Sequence, residues 1–286
     1  MKYRHTFHAG NFADVHKHVA LLALLAALKR KDKGFLYLDT HAGKGAYSVP
    51  AAAAHEADAG IERVATAKFE AEELRTYIER VSAFRKARND PRAYPGSPLL
   101  AAGELRPQDR GIAVEVLPPE ARTLEVALGH AGSTMRVERE DGFERIRAHL
   151  PPKERRGLTF IDPPYEDTRR DFERVTAAAA EAIRRFESGV VCAWYPIKDD
   201  RSLAGWKTAF ARTMTREVLF SELWLYPRDS SVGLNGSGLA LVNAPFQFAE
   251  RADVWLWELH QRLDTARTGG AGNERFKPPA SESATR

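Results

Sequence analysis

The sequence predicts an α/β fold: a parallel sheet with helices on both faces and a small helical insertion. Three observations carry this reading. Short apolar runs alternate with helix-length amphipathic stretches, glycine or acidic turns recur just after those runs, and one connection is far longer than a crossover needs.

The elements follow in order. Residues 13–31 read as a helix, with Val15, Val19, Leu22, Leu25 and Ala26 on one face, Leu21 widening it, and Lys29-Arg30 in the last turn. Residues 35–38 form the first buried strand, and Asp39-Thr40-His41-Ala42-Gly43-Lys44-Gly45 is the turn after it. Further strands are expected at 111–116, 134–137, 158–161 and 189–195, separated by helices at 119–129, 142–149, 168–187 and 199–212. Roughly 65 residues part the first turn from the second strand, where a crossover needs about a dozen. The excess is Ala-, Glu- and Arg-rich over 60–89, so residues 50–105 are read as a helical insertion subdomain whose return is punctuated by Tyr94-Pro95-Gly96-Ser97-Pro98. Residues 216–226 and 238–244 read as an antiparallel pair, and 265–286 as a disordered tail. The domain boundaries are therefore 1–49 for the amino-terminal helix and first strand, 50–105 for the insertion, 106–264 for the rest of the sheet domain, and 265–286 for the tail.

Composition narrows the class. With 286 residues, 43% hydrophobic and 29% charged, the chain can bury a large core, and no run approaches the roughly 18 apolar residues of a spanning helix. Met1-Lys2-Tyr3-Arg4-His5 lacks the apolar centre of a signal peptide, so a cytoplasmic protein without membrane attachment is expected. One cysteine, Cys192, excludes an internal disulfide framework and a Cys-rich zinc site. The net charge of +4 and a histidine-rich amino end fit a polyanion partner, although Lys29-Arg30-Lys31, Arg155-Arg156 and Arg184-Arg185 each fit a solvated face as well.

The chemistry is carried by Asp162-Pro163-Pro164-Tyr165, which follows an apolar strand. The amine of adenine is a poor nucleophile because its lone pair is delocalised into the ring, and hydrogen-bond acceptors are needed to draw its protons out of plane. Asp162 supplies one acceptor. Pro163, with fixed φ and no N–H, suits a second acceptor through its carbonyl. Tyr165 is expected to stack on a base swung out of its helix. The structural alternative for the same residues is a turn that ends strand pairing.

Other strand ends converge on the same edge. The glycine turn at 39–45 lets backbone approach a ligand, and it lacks the Lys-Ser or Lys-Thr pair of a phosphate loop. Glu115 follows the second strand, where a carboxylate accepts from ribose hydroxyls, or stands as a solvated charge. Asp141-Gly142-Phe143 follows the third, where Asp141 can accept the adenine amine of a cofactor, cap a helix, or do both. His5, His8, His16, His18 and His41 have no accompanying cysteines or obvious carboxylate ligand, so no metal is expected; they orient bound groups or pack at the sheet edge. Cys192 lies in an apolar strand and reads as core, which argues against methylation at a cytosine ring carbon.

These residues resemble the RlmJ family, bacterial methyltransferases that act on N6 of one adenine in 23S ribosomal RNA. The likeness spans nearly the whole chain and is most specific at Tyr3-Arg4-His5-Thr6-Phe7-His8-Ala9-Gly10-Asn11, Ala13-Asp14-Val15, Lys17-His18, 35–43, 94–98, Asp141-Gly142-Phe143 and 162–165. The resemblance implies a Rossmann-like S-adenosylmethionine-dependent methyltransferase sheet with a helical insertion. It implies that His18, His41, Ser97, Glu115, Asp141, Gly142 and Asp162 contact S-adenosylmethionine, that Asp162 also accepts the proton, and that Tyr3 touches the RNA. Where the family has His-Pro, this chain has Leu117-Pro118. The expected activity is direct in-line methyl transfer to a flipped-out adenine of 23S ribosomal RNA by a monomeric enzyme, with Asp162, Pro163 and Tyr165 at the reacting centre. A DNA adenine-N6 methyltransferase shares the motif, but an insertion of roughly 55 residues is small for reading duplex sequence. A non-catalytic nucleic-acid-binding protein on this fold is opposed by the intact Asp162, Pro163 and Tyr165.

Overall fold

The computed structural model describes residues 9–49, 59–198, 200–228, 230 and 232–278. Helix α1 (Phe12–Lys29) opens on Asn11, whose side chain accepts from the Asp14 N–H at 2.9 Å. It is buried on nearly every side, with Leu21, Leu24 and Leu25 fully enclosed. Such a helix owes its stability to packing rather than to a polar outer face; truncating Leu25 to alanine would cost about 2–5 kcal/mol.

Strand β1 (Leu36–Asp39) is followed by β2 (Ala46–Ser48), α2 (Ile61–Val64), α3 (Glu72–Arg88), β3 (Ala93–Pro95) and α4 (Ser97–Ala102). β2 and β3 pair antiparallel, Tyr47 opposite Tyr94. Then come β4 (Arg110–Val114), α5 (Pro118–His130), β5 (Arg136–Glu138), α6 (Gly142–His149), β6 (Gly157–Ile161), α7 (Thr168–Arg185), β7 (Val190–Ile197), α8 (Asp200–Thr213), β8 (Val218–Trp224), β9 (Gly236–Val242), α9 (Phe248–Leu263) and β10 (Gly270–Phe276). The sheet order is β10-β8-β9-β7-β6-β1-β4-β5. Strands β5, β4, β1, β6 and β7 run parallel, with Leu38 of β1 between Ile112 and Thr159. β9 and β10 are antiparallel to their neighbours. The chain leaves β1 for β4 and β5 on one side, then returns to β6 and β7 on the other, so the strand order reverses at β1. Ligands of open α/β sheets bind at the carboxyl ends flanking such a reversal.

One core fills the face under α1 and α9, and a second the face under α6, α7 and α8. Ile61, Val64, Leu74, Tyr77 and Val81 of the long β1–β4 connection belong to the first, so this region is packed into the sheet's core and does not stand away from it. The helices at 13–31, 119–129, 142–149, 168–187 and 199–212 and all the expected strands are present, with ends moved by no more than two residues. The exception lies in the tail. Residues expected to be disordered from 265 onward include β10, which pairs along its whole length with β8, Phe276 opposite Val218. Backbone pairing to an apolar neighbour outweighs its own glycine-rich composition; residues 279–286 lie outside the described ones. Among the described residues no helix is long and apolar enough to cross a membrane.

Candidate active site

Asp162 leaves the carboxyl end of β6 and meets a cation that rises from α1. Lys17 Nζ lies 2.5 Å from Asp162 Oδ2 and 2.9 Å from Asp14 Oδ1, with the Trp194 ring centroid at 5.3 Å. Asp14 and Lys17 are three apart on α1 and therefore share a face. The other oxygen of Asp14 accepts from the Gly10 N–H at 2.9 Å. Burial is the largest influence on the Lys17 ammonium and pulls it down, but Asp14 and Asp162 together outweigh it and hold it above the ordinary lysine range. Lys17 therefore stays a cation although it is buried.

The rest of the motif turns inward. Pro163 is buried and Pro164 exposed. Tyr165 adopts a left-handed φ of 51°, unusual for an aromatic residue. Its ring is 4% exposed, edge-on to Phe172 at 5.2 Å and to Trp194 at 5.5 Å, and its hydroxyl donates to the Trp194 carbonyl at 2.6 Å. This corrects the expectation that Tyr165 offers a stacking face: the positive φ swings the side chain into the α7–β7 core, where it braces the loop. Trp194, half-buried and with its indole N–H donating to Ser237 Oγ at 2.9 Å, is the ring nearest the Lys17–Asp162 pair.

On the other side of β1 the carboxylates meet mainly neutral donors. Asp39 Oδ2 accepts from Ser97 Oγ at 2.7 Å and Tyr37 Oη at 2.9 Å, and Oδ1 from the His41 N–H at 3.3 Å. Burial pushes the Asp39 carboxyl up to about 6, against the pull of Ser97 and Tyr37. Glu115 Oε2 accepts from the Gly43 N–H at 3.0 Å and Oε1 from the Leu117 N–H at 2.8 Å, and burial raises its pKa too. Gly43 has φ +60° and a Cβ there would lie 2.4 Å from Tyr47 Oη. Asp141 caps α6 through the Phe143 N–H at 2.8 Å and pairs with Arg174 at 2.7 Å. Burial opposes its charge, yet these partners hold its carboxyl below the usual range. A Cβ on Gly142 would lie 1.7 Å from the Thr40 carbonyl, so only glycine lets α6 start this close to the β1 turn. The His41 ring stands edge-on to Phe143 at 4.6 Å, and burial lowers it to about 4, so it is neutral.

Of the residues expected at the site, Asp162, Glu115, Asp141, Gly142, His41 and Ser97 gather along the carboxyl edge. Ser97 spends its hydroxyl on Asp39. His18 lies deeper, 1% exposed, with Nδ1 at 2.8 Å from Tyr94 Oη. Tyr3, His5 and His8 lie outside the described residues. His16 packs at the sheet edge, Nδ1 2.9 Å from Ser237 Oγ, and burial lowers it to about 3. Cys192 is buried in the core, and burial raises its thiol. Sequence reasoning assigned no role to Lys17, Asp14, Asp39, Trp194 or Arg174. For Lys17 a signal existed: an acid and a base three apart in a helix otherwise dominated by leucine and alanine.

A family model described as ribosomal RNA large subunit methyltransferase D, RlmJ, matches residues 32–275. Ribosomal RNA large subunit methyltransferase J of Escherichia coli is 38% identical over 274 residues, covering 95% of this chain and 97% of that protein. The protein of the same name from Haemophilus influenzae is 36% identical over 281 residues, covering 97% and 99%. A crystal structure of a Legionella pneumophila protein superposes with a TM-score of 0.83 at 32% identity, covering 96% of this chain and 99% of that one.

Proposed function

This chain belongs to the RlmJ family of large-subunit ribosomal RNA methyltransferases, and from that premise we propose that it methylates the N6 amine of an adenine in 23S ribosomal RNA. The observation that carries the chemistry is the Lys17–Asp162 pair at the end of β6, followed at once by two prolines. Asp162 accepts a hydrogen bond from the amine and so draws the nitrogen lone pair out of the ring, and it takes the proton as the nitrogen gains its methyl; the Pro163 carbonyl is the second acceptor. Lys17 compensates the charge of Asp162 and Asp14, so the acceptor site carries no uncompensated pair of anions. Catalysis on this reading is positioning and fixed acceptor geometry.

The donor side fits S-adenosylmethionine. Asp39 and Glu115 are buried carboxylates whose described partners are hydroxyl or backbone donors, and Gly43 and Gly142 permit close backbone approach. When bound, the cofactor supplies an electrophilic methyl group on a sulfonium. Glu115 keeps lone pairs for the ribose hydroxyls, Asp141 accepts the adenine amine, and Gly142, His41, His18 and Ser97 shape the pocket around it. Tyr165 fixes the loop after Asp162 and Pro163 from behind. The solvent-facing side of the β1–β4 connection and Tyr3 contact the RNA, and the enzyme works as a cytoplasmic monomer.

The test is transfer of labelled methyl groups to ribosomal RNA from cells lacking the activity, with duplex DNA alongside, followed by mapping of the label. Label on one adenine N6 of 23S RNA is expected. Incorporation into DNA alone would overturn the proposal.

A further inference from the structure

One surface concavity lies away from the catalytic edge's carboxylates. It measures about 460 Å³ and lies between the segment after α2 and the outer face of α9, lined by Thr66, Lys68, Phe69, Trp257, Gln261 and Arg262. It is a shallow, open groove rather than an enclosed cavity. Trp257 is 60% exposed there, and Val254, on the same side of α9, is 56% exposed. Lys68 and Arg262 are exposed, and Lys68 has no ion-pair partner among the described residues. The nearby acid is already engaged: Glu258 accepts from the Glu70 N–H at 2.9 Å and the Ala71 N–H at 3.1 Å, closing the start of α3. The groove thus offers the exposed face of Trp257 and two cations, with its one lining carboxylate, Glu258, turned to backbone donors.

Its place in the fold ties it to the reacting centre. The carboxyl end of α9 is held by Arg63, whose guanidinium donates to the Leu263 carbonyl at 2.8 Å, while Arg262 Nε donates back to the Arg63 carbonyl at 2.9 Å. Two residues earlier, the Ile61 N–H donates to the Gly10 carbonyl at 2.8 Å. Gly10 holds Asp14, and Asp14 holds Lys17. At its other end α9 starts beside the end of α1, where Arg30 donates to the Phe246 carbonyl at 3.2 Å. α9 therefore runs antiparallel to α1, and the Arg262 end of the groove lies toward the edge that carries Asp162.

We propose that this groove binds an unpaired nucleotide of the substrate RNA outside the target adenine, its base stacked on Trp257 and its phosphates against Lys68 and Arg262. The inference rests on the RNA-methylating reading of the chain and supplies it with a second point of grip. Stacking of this kind tolerates any base, and its loss on alanine substitution corresponds to about 5- to 150-fold in affinity. A protein partner in the same groove is the competing occupant.

The test is direct RNA binding by the full-length protein, read by anisotropy of labelled single-stranded fragments of 23S RNA, with methyl transfer followed in parallel. Trp257→Ala is expected to weaken RNA binding at least about fivefold, with Trp257→Phe restoring most of it. Lys68→Ala should reduce the slope of log affinity against log salt by about 0.7. S-adenosylmethionine affinity, read by calorimetry without RNA, should stay at the parent value. If Trp257→Ala and Lys68→Ala bind RNA as the parent does, the groove is not an RNA site, and a protein partner would give that result. Because binding is read without turnover, a parent protein that binds RNA through Trp257 but methylates only DNA would sink the activity and leave the groove standing.

Discussion

The two halves of the sheet's carboxyl edge treat buried carboxylates in opposite ways. On the β6–β7 half, Asp162 and Asp14 share the Lys17 ammonium, a built-in counter-charge. On the β1–β4 half, Asp39 and Glu115 meet hydroxyls and backbone N–H groups, and burial raises both. Farther out on that half the carboxylates do meet cations, Asp141 at the rim in Arg174 and Glu138 at the end of β5 in Arg145. On the function proposed above, the half assigned to a neutral amine carries its own positive charge, and Asp39 and Glu115, assigned to the cationic donor, have none. Complementarity to the reactants is written in where the protein withholds an ammonium as much as in where it supplies one.

Five experiments probe this contrast. Asp162→Asn removes the negative charge and the group that can take the proton, and should lower turnover about 10²–10⁴-fold, while calorimetry finds S-adenosylmethionine affinity little changed; equal losses in both would erase the division of labour. Lys17→Met leaves Asp14 and Asp162 facing one another without their cation, and loss of one partner of a buried pair costs about 3–5 kcal/mol, measurable by urea unfolding. On the donor half, ionised Asp39 attracts the sulfonium, so affinity for S-adenosylmethionine should fall about tenfold between pH 7 and pH 5 as Asp39 protonates near 6. S-adenosylhomocysteine, which lacks the positive sulfur, should lose less. Folding linkage has the other sign: a carboxyl raised in the native state contributes stability below about pH 4 that is lost as pH rises through 6, so the ligand-free protein should relinquish stability over that window and Asp39→Asn should flatten the curve. The smallest effect is Tyr165→Phe, which strips the Trp194 carbonyl of its donor and should cost about 1 kcal/mol in unfolding experiments. A phenylalanine variant indistinguishable from the parent in both stability and turnover would return Tyr165 to a purely space-filling role.

Much of this edge was legible in the sequence because strand ends map onto one edge of a parallel sheet. Asp162, Glu115 and Asp141-Gly142 each follow an apolar run, and the fold brings together whatever follows such runs. Lys17 was not legible as a partner of Asp162, since the two are far apart in the chain and meet only because α1 crosses the sheet at β6. Tyr165 shows a different limit. Residue type announces an aromatic ring, but a φ of 51° decides which way it points, and here it points inward. β10 was misread because Gly270, Ala271, Gly272 and Asn273 have no strand preference of their own; their conformation is imposed by β8.

That last strand bears on how the molecule keeps to itself. β8 is an almost wholly buried run, Val218–Trp224, and β10 occupies its outer hydrogen-bonding edge. The covering strand is half-exposed and carries Glu274 and Arg275, which pair with Lys207 and Glu250, and it lays Phe276 against Phe220 at 5.4 Å. It is therefore a shield: polar outside, greasy at one anchor, and too charged to recruit a further strand. Shortening the chain after Asp264 would strip the shield and offer β8 to the same edge of a neighbouring molecule, so the shortened protein is expected to self-associate through β8 even though every residue proposed for methyl transfer remains in place.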